Sequence, residues 1–248
     1  MRDGYRVFDT HTHLGEARHS GRTATAGDLL RQMDRCGVDR SLLIPFPAVD
    51  DHRQQHGLIA AAVRAAPDRF AGAACLNPFL PRAEFHDEVR RCAEEFGFRV
   101  LKLQPQYQPL NPVSARSDFF FEAAVRHKLA VIAHTGSGAP FALPSLFIAA
   151  ARRFPELAII LGHAGGSVYY LEAIVAAQVC PNIHIELSSL MPHHCAEVIA
   201  HVEPGRLMAG SDLPESLDAE IGKLFSLEMP PETRRAILWD TPARIFGL

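Results

Sequence analysis

Apolar and polar residues alternate along this chain in two periods. Short apolar runs at 5–8, 40–45, 70–76, 98–103, 129–134, 157–161, 183–187 and 206–210 read as eight strands. Between them, apolar residues recur at helical spacing. The clearest case starts at Thr25-Ala26-Gly27-Asp28, carries Leu29, Leu30, Met33 and Cys36 on one face, and stops at Gly37. Further helical patterns cover 58–63, 89–96, 119–127, 144–154, 168–179 and 192–202, and two more lie in the tail at 231–238 and 242–246. Strands each followed by a helix predict an α/β fold, a (β/α)8 TIM barrel. The strands are nearly continuous apolar runs, as strands covered on both faces must be. A doubly wound open sheet would carry a glycine-rich phosphate turn after its first strand, and none stands there. No break in composition divides the chain, so residues 1–248 are expected to form a single barrel domain with additional C-terminal helices. Residues 104–117, with Pro105, Pro109 and Pro112, read as a long loop after the fourth strand.

Composition narrows the function. With 48% hydrophobic and 21% charged residues, the chain is neither disordered nor a coiled coil. Its 25 basic and 28 acidic residues leave no surplus to neutralise a phosphate backbone, which argues against a nucleic acid partner. The five cysteines are odd in number and lie in apolar stretches, so buried reduced thiols are expected. No signal-peptide core opens the chain. The uncharged stretch 129–151 holds His134, a turn-rich segment at 135–140 and Pro144, so it reads as a strand and a helix rather than a membrane span. A soluble cytoplasmic protein with no membrane partner is expected, and a homo-oligomer is compatible with the sequence.

The unusual residue is histidine, with 13 copies. In a barrel, chemistry sits where the strands end. The first strand ends in Asp9-Thr10-His11-Thr12-His13, and later ones end at Lys102, His134, His163, Glu186 and Asp212. From Lys102 these follow at intervals of 32, 29, 23 and 26 residues, each about one strand–helix unit. Residues i and i+2 of an extended strand point the same way, so His11 and His13 can chelate one ion. A single histidine of this kind is more often a hydrogen-bonded core residue; four histidines and an aspartate at strand ends point to a metal. Glu186 either faces the site or caps the next helix as a rim carboxylate. Gln104, Gln106 and Tyr107 are placed to line the pocket from the long loop. His193 and His194 read as surface residues, and His19, His52, His56, His86, His127 and His201 as solvated. Phe119-Phe120-Phe121 reads as core packing.

The segments around Asp9–His13, Leu101-Lys102-Leu103-Gln104-Pro105, Ile132-Ala133-His134-Thr135-Gly136, Leu161-Gly162-His163-Ala164-Gly165-Gly166 and Gly210-Ser211-Asp212-Leu213-Pro214 together resemble the amidohydrolase superfamily. They most resemble its small metal-dependent hydrolases and aminocarboxymuconate-semialdehyde decarboxylase-like enzymes, and residues 241–248 resemble that branch's closing helix. The resemblance implies that His11, His13, His134 and Asp212 bind a divalent metal. It implies that His163 contacts the substrate or the metal-bound water, or is a ligand in two-metal members. Lys102 lies where some two-metal relatives carry a carboxylated lysine; here one metal and an unmodified Lys102 pairing with a substrate carboxylate are expected. The branch often has His where this chain has Gln104, and an aromatic where it has Leu213.

Mixed nitrogen and oxygen ligands suit Zn2+, with Mn2+ or Fe2+ as alternatives, and no organic cofactor is expected. Zn2+ lowers the pKa of its water toward about 7. With Asp212 as base and His163 polarising the substrate, the expected activity is hydrolysis of a small, carboxylate-bearing amide, lactone or ester. The alternative on the same site is non-oxidative decarboxylation or hydration of a small unsaturated carboxylic acid. A non-catalytic metal protein is disfavoured by the intact Asp212. A TatD-type nuclease is disfavoured by Lys102, where that family has an acid. The loop at 14–24 is short, which predicts a small substrate and an incompletely covered site.

Overall fold

The computed structural model describes residues 1–18, 20–47, 51–136 and 140–248. The reading of His19 as solvated, and part of the turn expected at 135–140, lie outside these residues. Along the chain run β1 (Phe8–Ala17), β2 (Arg22–Ala24), α1 (Ala26–Cys36), β3 (Arg40–Pro45), α2 (His52–Ala65), β4 (Phe70–Ala74), α3 (Arg82–Arg90) and β5 (Val100–Leu103). They are followed by α4 (Asp118–Arg126), β6 (Ala130–His134), α5 (Phe147–Arg153), β7 (Ile159–Gly162), α6 (Gly166–Val179), β8 (Ile183–Glu186), α7 (Pro192–His201), β9 (Leu207–Met208), α8 (Leu217–Ser226), α9 (Pro231–Arg235) and α10 (Thr241–Phe246).

The strands form one mixed sheet in the order β2-β1-β3-β4-β5-β6-β7-β8-β9. All neighbours are parallel except β1 and β2, which pair antiparallel. The sheet curls until β1 meets the segment after β9. Thr10 donates to Ala209 O from its backbone N–H (2.9 Å) and its hydroxyl (2.7 Å), and the amides of Ser211 and Asp212 both donate to His11 O. Strand parity sorts the core. Leu42, Ile44, Val100, Ile132, Ile160 and Met208 form one apolar cluster, while Leu43, Leu101, Val131, Ile159, Leu161 and Ile185 belong to the larger one shared with the helices. Both faces are therefore apolar, which is why the strands lack polar alternation. The same parity aligns Lys102 with Val100 and His134 with Ile132.

Local signals act as the sequence suggests. The Thr25 hydroxyl accepts from Asp28 N and caps α1, and Gly37 ends that helix at φ 70°. All five cysteines are free and buried. Phe120 and Phe121 are fully buried. No helix among the described residues is long and apolar enough to cross a membrane.

Four expectations need correction. The first strand, expected to start at Tyr5 and to end in Asp9–His13, begins instead at Phe8 and continues to Ala17. The segment expected as a loop at 14–24 is largely the β1–β2 hairpin. Helix α8 was not expected; its buried Leu217, Ile221 and Leu224 fall at helical spacing behind the turn at Pro214–Ser216 that follows Asp212. Several histidines read as solvated or surface residues are half-buried: His52, His86, His127 and His194.

His56 departs furthest from that reading, being fully buried. Its Nδ1 donates to Glu88 at 2.6 Å, and its Nε2 accepts the Cys75 amide at 3.0 Å. Arg91 and Arg53 also hold the Glu88 carboxylate, at 2.7 and 2.9 Å. The network ties α2 and α3 to the exit of β4. Burial pushes the Glu88 carboxyl up, but hydrogen bonds from His56 and Arg91 outweigh it and hold the pKa at about 2. The folded value lies below the unconstrained 4.5, so this stabilisation is complete above about pH 4.5 and is lost as pH falls through 2. Replacing Glu88→Gln should lower stability by about 1–3 kcal/mol at pH 7, measured by urea unfolding. The difference from the parent should shrink as pH falls from 4.5 toward 2.

Candidate metal centre

The centre begins with an irregularity in β1, whose register against β3 shifts between Asp9 and Thr12. The buried Asp9 carboxylate accepts from the His11 amide at 3.2 Å, the Ser211 amide at 2.9 Å and the Ser211 hydroxyl at 2.8 Å. Burial raises Asp9 to about 7, against these hydrogen bonds. Past this point His11 and His13 present their rings 5.5 Å apart.

Hydrogen-bond logic assigns both tautomers. His11 Nδ1 lies 2.9 Å from Glu186 Oε2, and His13 Nδ1 lies 3.1 Å from Pro45 O. A carboxylate and a carbonyl only accept, so each Nδ1 carries the hydrogen and each Nε2 is bare. These bare nitrogens lie 3.8 and 3.7 Å from Asp212 Oδ1, and His163 Nε2 lies 3.7 Å from the same oxygen. His163 stacks on His11 at 4.7 Å, and the His134 ring meets His163 edge-on at 4.8 Å. His134 Nε2 is buried and has no hydrogen-bond partner among the described residues. Lys102, wholly buried, places Nζ 2.8 Å from His11 Nε2.

Burial sets the charges. It lowers His13 and His163 to about 4, His134 to about 2, and His11 well below its ordinary value, so all four are neutral donors near pH 7. It lowers Lys102 to about 8, against the attraction of Asp212. For Asp212, burial acts upward, but His163, His11, His13 and Lys102 outweigh it and hold the carboxyl below the usual carboxylate range. Neutral imidazoles with bare Nε2 atoms, an ionised carboxylate and a buried orphaned nitrogen form a donor set that fits a divalent cation.

Two of these residues have left-handed backbones, His163 at φ 66° and Asp212 at φ 62°. Such conformations persist where surrounding contacts dictate them. The Asp212 amide donates to His11 O at 2.7 Å, and the His163 amide to Glu186 Oε2 at 3.1 Å. The turn continues through Ala164 at φ 49° and Gly165 at φ 78°, whose amide donates to the Thr135 hydroxyl at 2.8 Å.

The structure thus gathers His11, His13, His163, Lys102 and Asp212 at one point, with His134 against His163. Glu186 is placed differently from either expectation. It is fully buried, and its oxygens serve His11, the His163 amide, and the Ser188 amide and hydroxyl, leaving it neither in the pocket nor at a helix cap. Gln104 is buried and bonded to Gln106 and Gln108. Tyr107 lines a neighbouring cavity of about 140 Å³ with Phe46, His52, Cys75 and Asn77. That cavity adjoins the centre through Phe46, which stacks on His13 at 4.9 Å.

Sequence reasoning missed Asp9, Thr135, Ser188 and Ser211 as supports. Glycines were the available signal. A Cβ at Gly210 would collide with the Glu186 carboxylate and stand 2.9 Å from His11 Cβ; one at Gly162 would stand 3.3 Å from His11 Cε1. A second buried set, His56, Glu88 and Cys92, also has cation-like spacing. There, two guanidiniums already occupy the carboxylate, which excludes a further cation.

Known structures share this fold nearly end to end. The 5-carboxyvanillate decarboxylase of Sphingomonas paucimobilis matches with a TM-score of 0.81 at 19% identity, over 98% of this chain and 99% of that one. The Novosphingobium aromaticivorans 5-carboxyvanillate decarboxylase, solved with manganese and 4-hydroxy-3-methoxy-5-nitrobenzoic acid, matches at 0.77 and 17%, over 99% and 97%. An uncharacterised TIM-barrel protein of Bordetella bronchiseptica matches at 0.80 and 17%, over 98% of both chains. At these identities the likeness shows the fold. No curated protein sequence matches the chain. The amidohydrolase family model does match it, over residues 8–248, and the chain therefore belongs to the amidohydrolase family.

Proposed function

We propose that this protein is a metal-dependent, non-oxidative decarboxylase of a small unsaturated or aromatic carboxylic acid, in preference to a hydrolase. The reading takes the curled sheet as a closed (β/α)8 barrel with the β1–β2 hairpin at its mouth, and Mn2+ or Zn2+ as the resident ion.

The observation that carries it is the contact of Lys102 Nζ with His11 Nε2 at 2.8 Å, in a place closed to solvent. His11 Nε2 has one lone pair. His11, His13, His134 and Asp212 would hold a divalent cation, which would need that same pair and leave the Lys102 ammonium without it. A buried ammonium then requires an anion, and a substrate carboxylate supplies one. Pairing with the buried Lys102 strips water from the carboxylate, and that desolvation favours loss of CO2. That two of the solved structures sharing the fold end to end are decarboxylases supports the same choice.

The bound ion would supply Lewis acidity toward the substrate's oxygens. Lys102 orients the carboxylate. Asp212 takes a proton from a substrate hydroxyl or from water and returns it to the carbon losing CO2. The carbon–carboxylate bond breaks, its electron pair forms the new C–H bond, and CO2 leaves. His163 Nε2 stands beside Asp212 to accept a hydrogen bond from the substrate.

Protein loaded with Mn2+ or Zn2+ should release CO2 from a panel of hydroxylated aromatic and unsaturated carboxylic acids and leave lactones and esters intact. Hydrolysis without CO2 release would reverse the assignment. Asp212→Asn should reduce turnover by about a thousandfold or more while circular dichroism stays unchanged. Lys102→Met should chiefly raise KM for the acid, with no loss of metal by elemental analysis. Gly210→Ala, by displacing Glu186 from His11, should weaken metal binding by about 10–100-fold in a titration of metal-free protein, with Gly205→Ala as an unaffected control.

A further inference from the structure

The hydrogen on His163 can be located from its neighbours. Ser188 is fully buried and its hydroxyl has one hydrogen. Its Oγ lies 3.0 Å from Glu186 Oε2 and 2.7 Å from His163 Nδ1. Glu186 is an acceptor at every contact: Oε2 also receives His11 Nδ1–H at 2.9 Å and the His163 amide at 3.1 Å, and Oε1 receives the Ser188 amide at 2.5 Å. The hydroxyl hydrogen is therefore committed to Glu186, and Ser188 Oγ can only accept from His163. His163 must carry its hydrogen on Nδ1. Its Nε2 is then bare and faces Asp212 Oδ1 at 3.7 Å.

The backbone supports the same aim. His163 and Ala164 are left-handed at φ 66° and 49°, a conformation that strains a non-glycine residue. The cost is met by the His163 amide on Glu186 and the Gly165 amide on Thr135. One buried carboxylate thus fixes His11 directly and His163 twice, through its amide and through Ser188.

We propose that Ser188 is a positioning residue for the reaction: by bridging His163 to Glu186 it fixes the Nδ1–H tautomer, so that Nε2 meets the substrate as an acceptor. Without the hydroxyl, Glu186 Oε2 stands 3.8 Å from His163 Nδ1, beyond hydrogen-bond reach. The ring is then free to adopt the Nε2–H form, which offers a donor where an acceptor is required. The inference rests on the proposed function only for the identity of the substrate that His163 meets.

The test is long-range proton–nitrogen NMR of the histidine rings in metal-free protein, with His163→Gln identifying the resonance. The parent protein should show His163 as Nδ1–H alone. Ser188→Ala should show the Nε2–H form, and Ser188→Thr should restore the parent pattern. Ser188→Cys, with a weaker acceptor, gives the same reading if the alanine variant does not fold. In loaded enzyme, Ser188→Ala should lower kcat about tenfold with KM and metal content unchanged, and Ser188→Thr should recover it. An unchanged tautomer in Ser188→Ala overturns the inference, as does a rise in KM at constant kcat. Should no acid release CO2, the decarboxylase reading fails, while the NMR result still decides the role of Ser188.

Discussion

The site depends on a join between the two ends of the sheet. Asp9 and Ser211 are 202 residues apart, yet the Asp9 carboxylate takes both the amide and the hydroxyl of Ser211. Next to this join, His11 O accepts the amides of Ser211 and Asp212. These bonds carry Asp212 from the far end of the sheet to His11 and His13, which belong to its first long strand. Without the join, the imidazoles and the carboxylate would be features of opposite edges. The left-handed backbone of Asp212 is a result of the same join, since both the carbonyl it meets and the ring it faces belong to His11.

Around the join, buried polar groups are connected in a way that leaves few choices. Asp9, Glu186, Lys102 and three imidazoles are almost wholly shielded from solvent. Isolated, any of the charged ones would be expensive. Together they satisfy one another: Asp9 takes Ser211, Glu186 takes His11 and Ser188, and Lys102 takes the lone pair of His11. Networks of this kind are stiff because a half-satisfied version is worse than none. Stiffness is what a metal site needs, since it holds the donor atoms in convergence before the ion arrives.

Much of this was legible in the sequence, and the misses have physical reasons. The order of strands and helices could be read because strands buried on both faces must be apolar from end to end; residues 40–45 coincide with β3. Polar residues ending such runs, Lys102, His134 and Asp212, stand out against that background. Hairpin β1–β2 could not be read, because its pairing lies outside the core and its exposed residues leave no pattern. Glu186 was noticed, but its surroundings were not. A strand end can turn its side chain toward solvent or beneath a neighbouring ring, and only the neighbours decide. Here Gly210, which makes room for the carboxylate, decides it. His56 was misread although helical spacing sets it on the face of α2 that buries Ile59 and Ala60, because the partner that makes burial of a polar ring acceptable, Glu88, lies 32 residues away.

The division of labour among the carboxylates follows from what surrounds them. Glu186 is enclosed by donors that are themselves fixed, amides, a hydroxyl and an Nδ1–H, so its charge is spent on orientation. Asp212 faces three imidazole nitrogens at 3.7–3.8 Å, too far for direct hydrogen bonds, and its side chain remains 30% exposed. It alone combines an open approach with a clustered set of lone pairs. A group that moves protons needs such access; a group that fixes rings needs the reverse. The chain supplies one carboxylate of each kind within a single hydrogen-bonded cluster, and their burial, more than their chemistry, tells them apart.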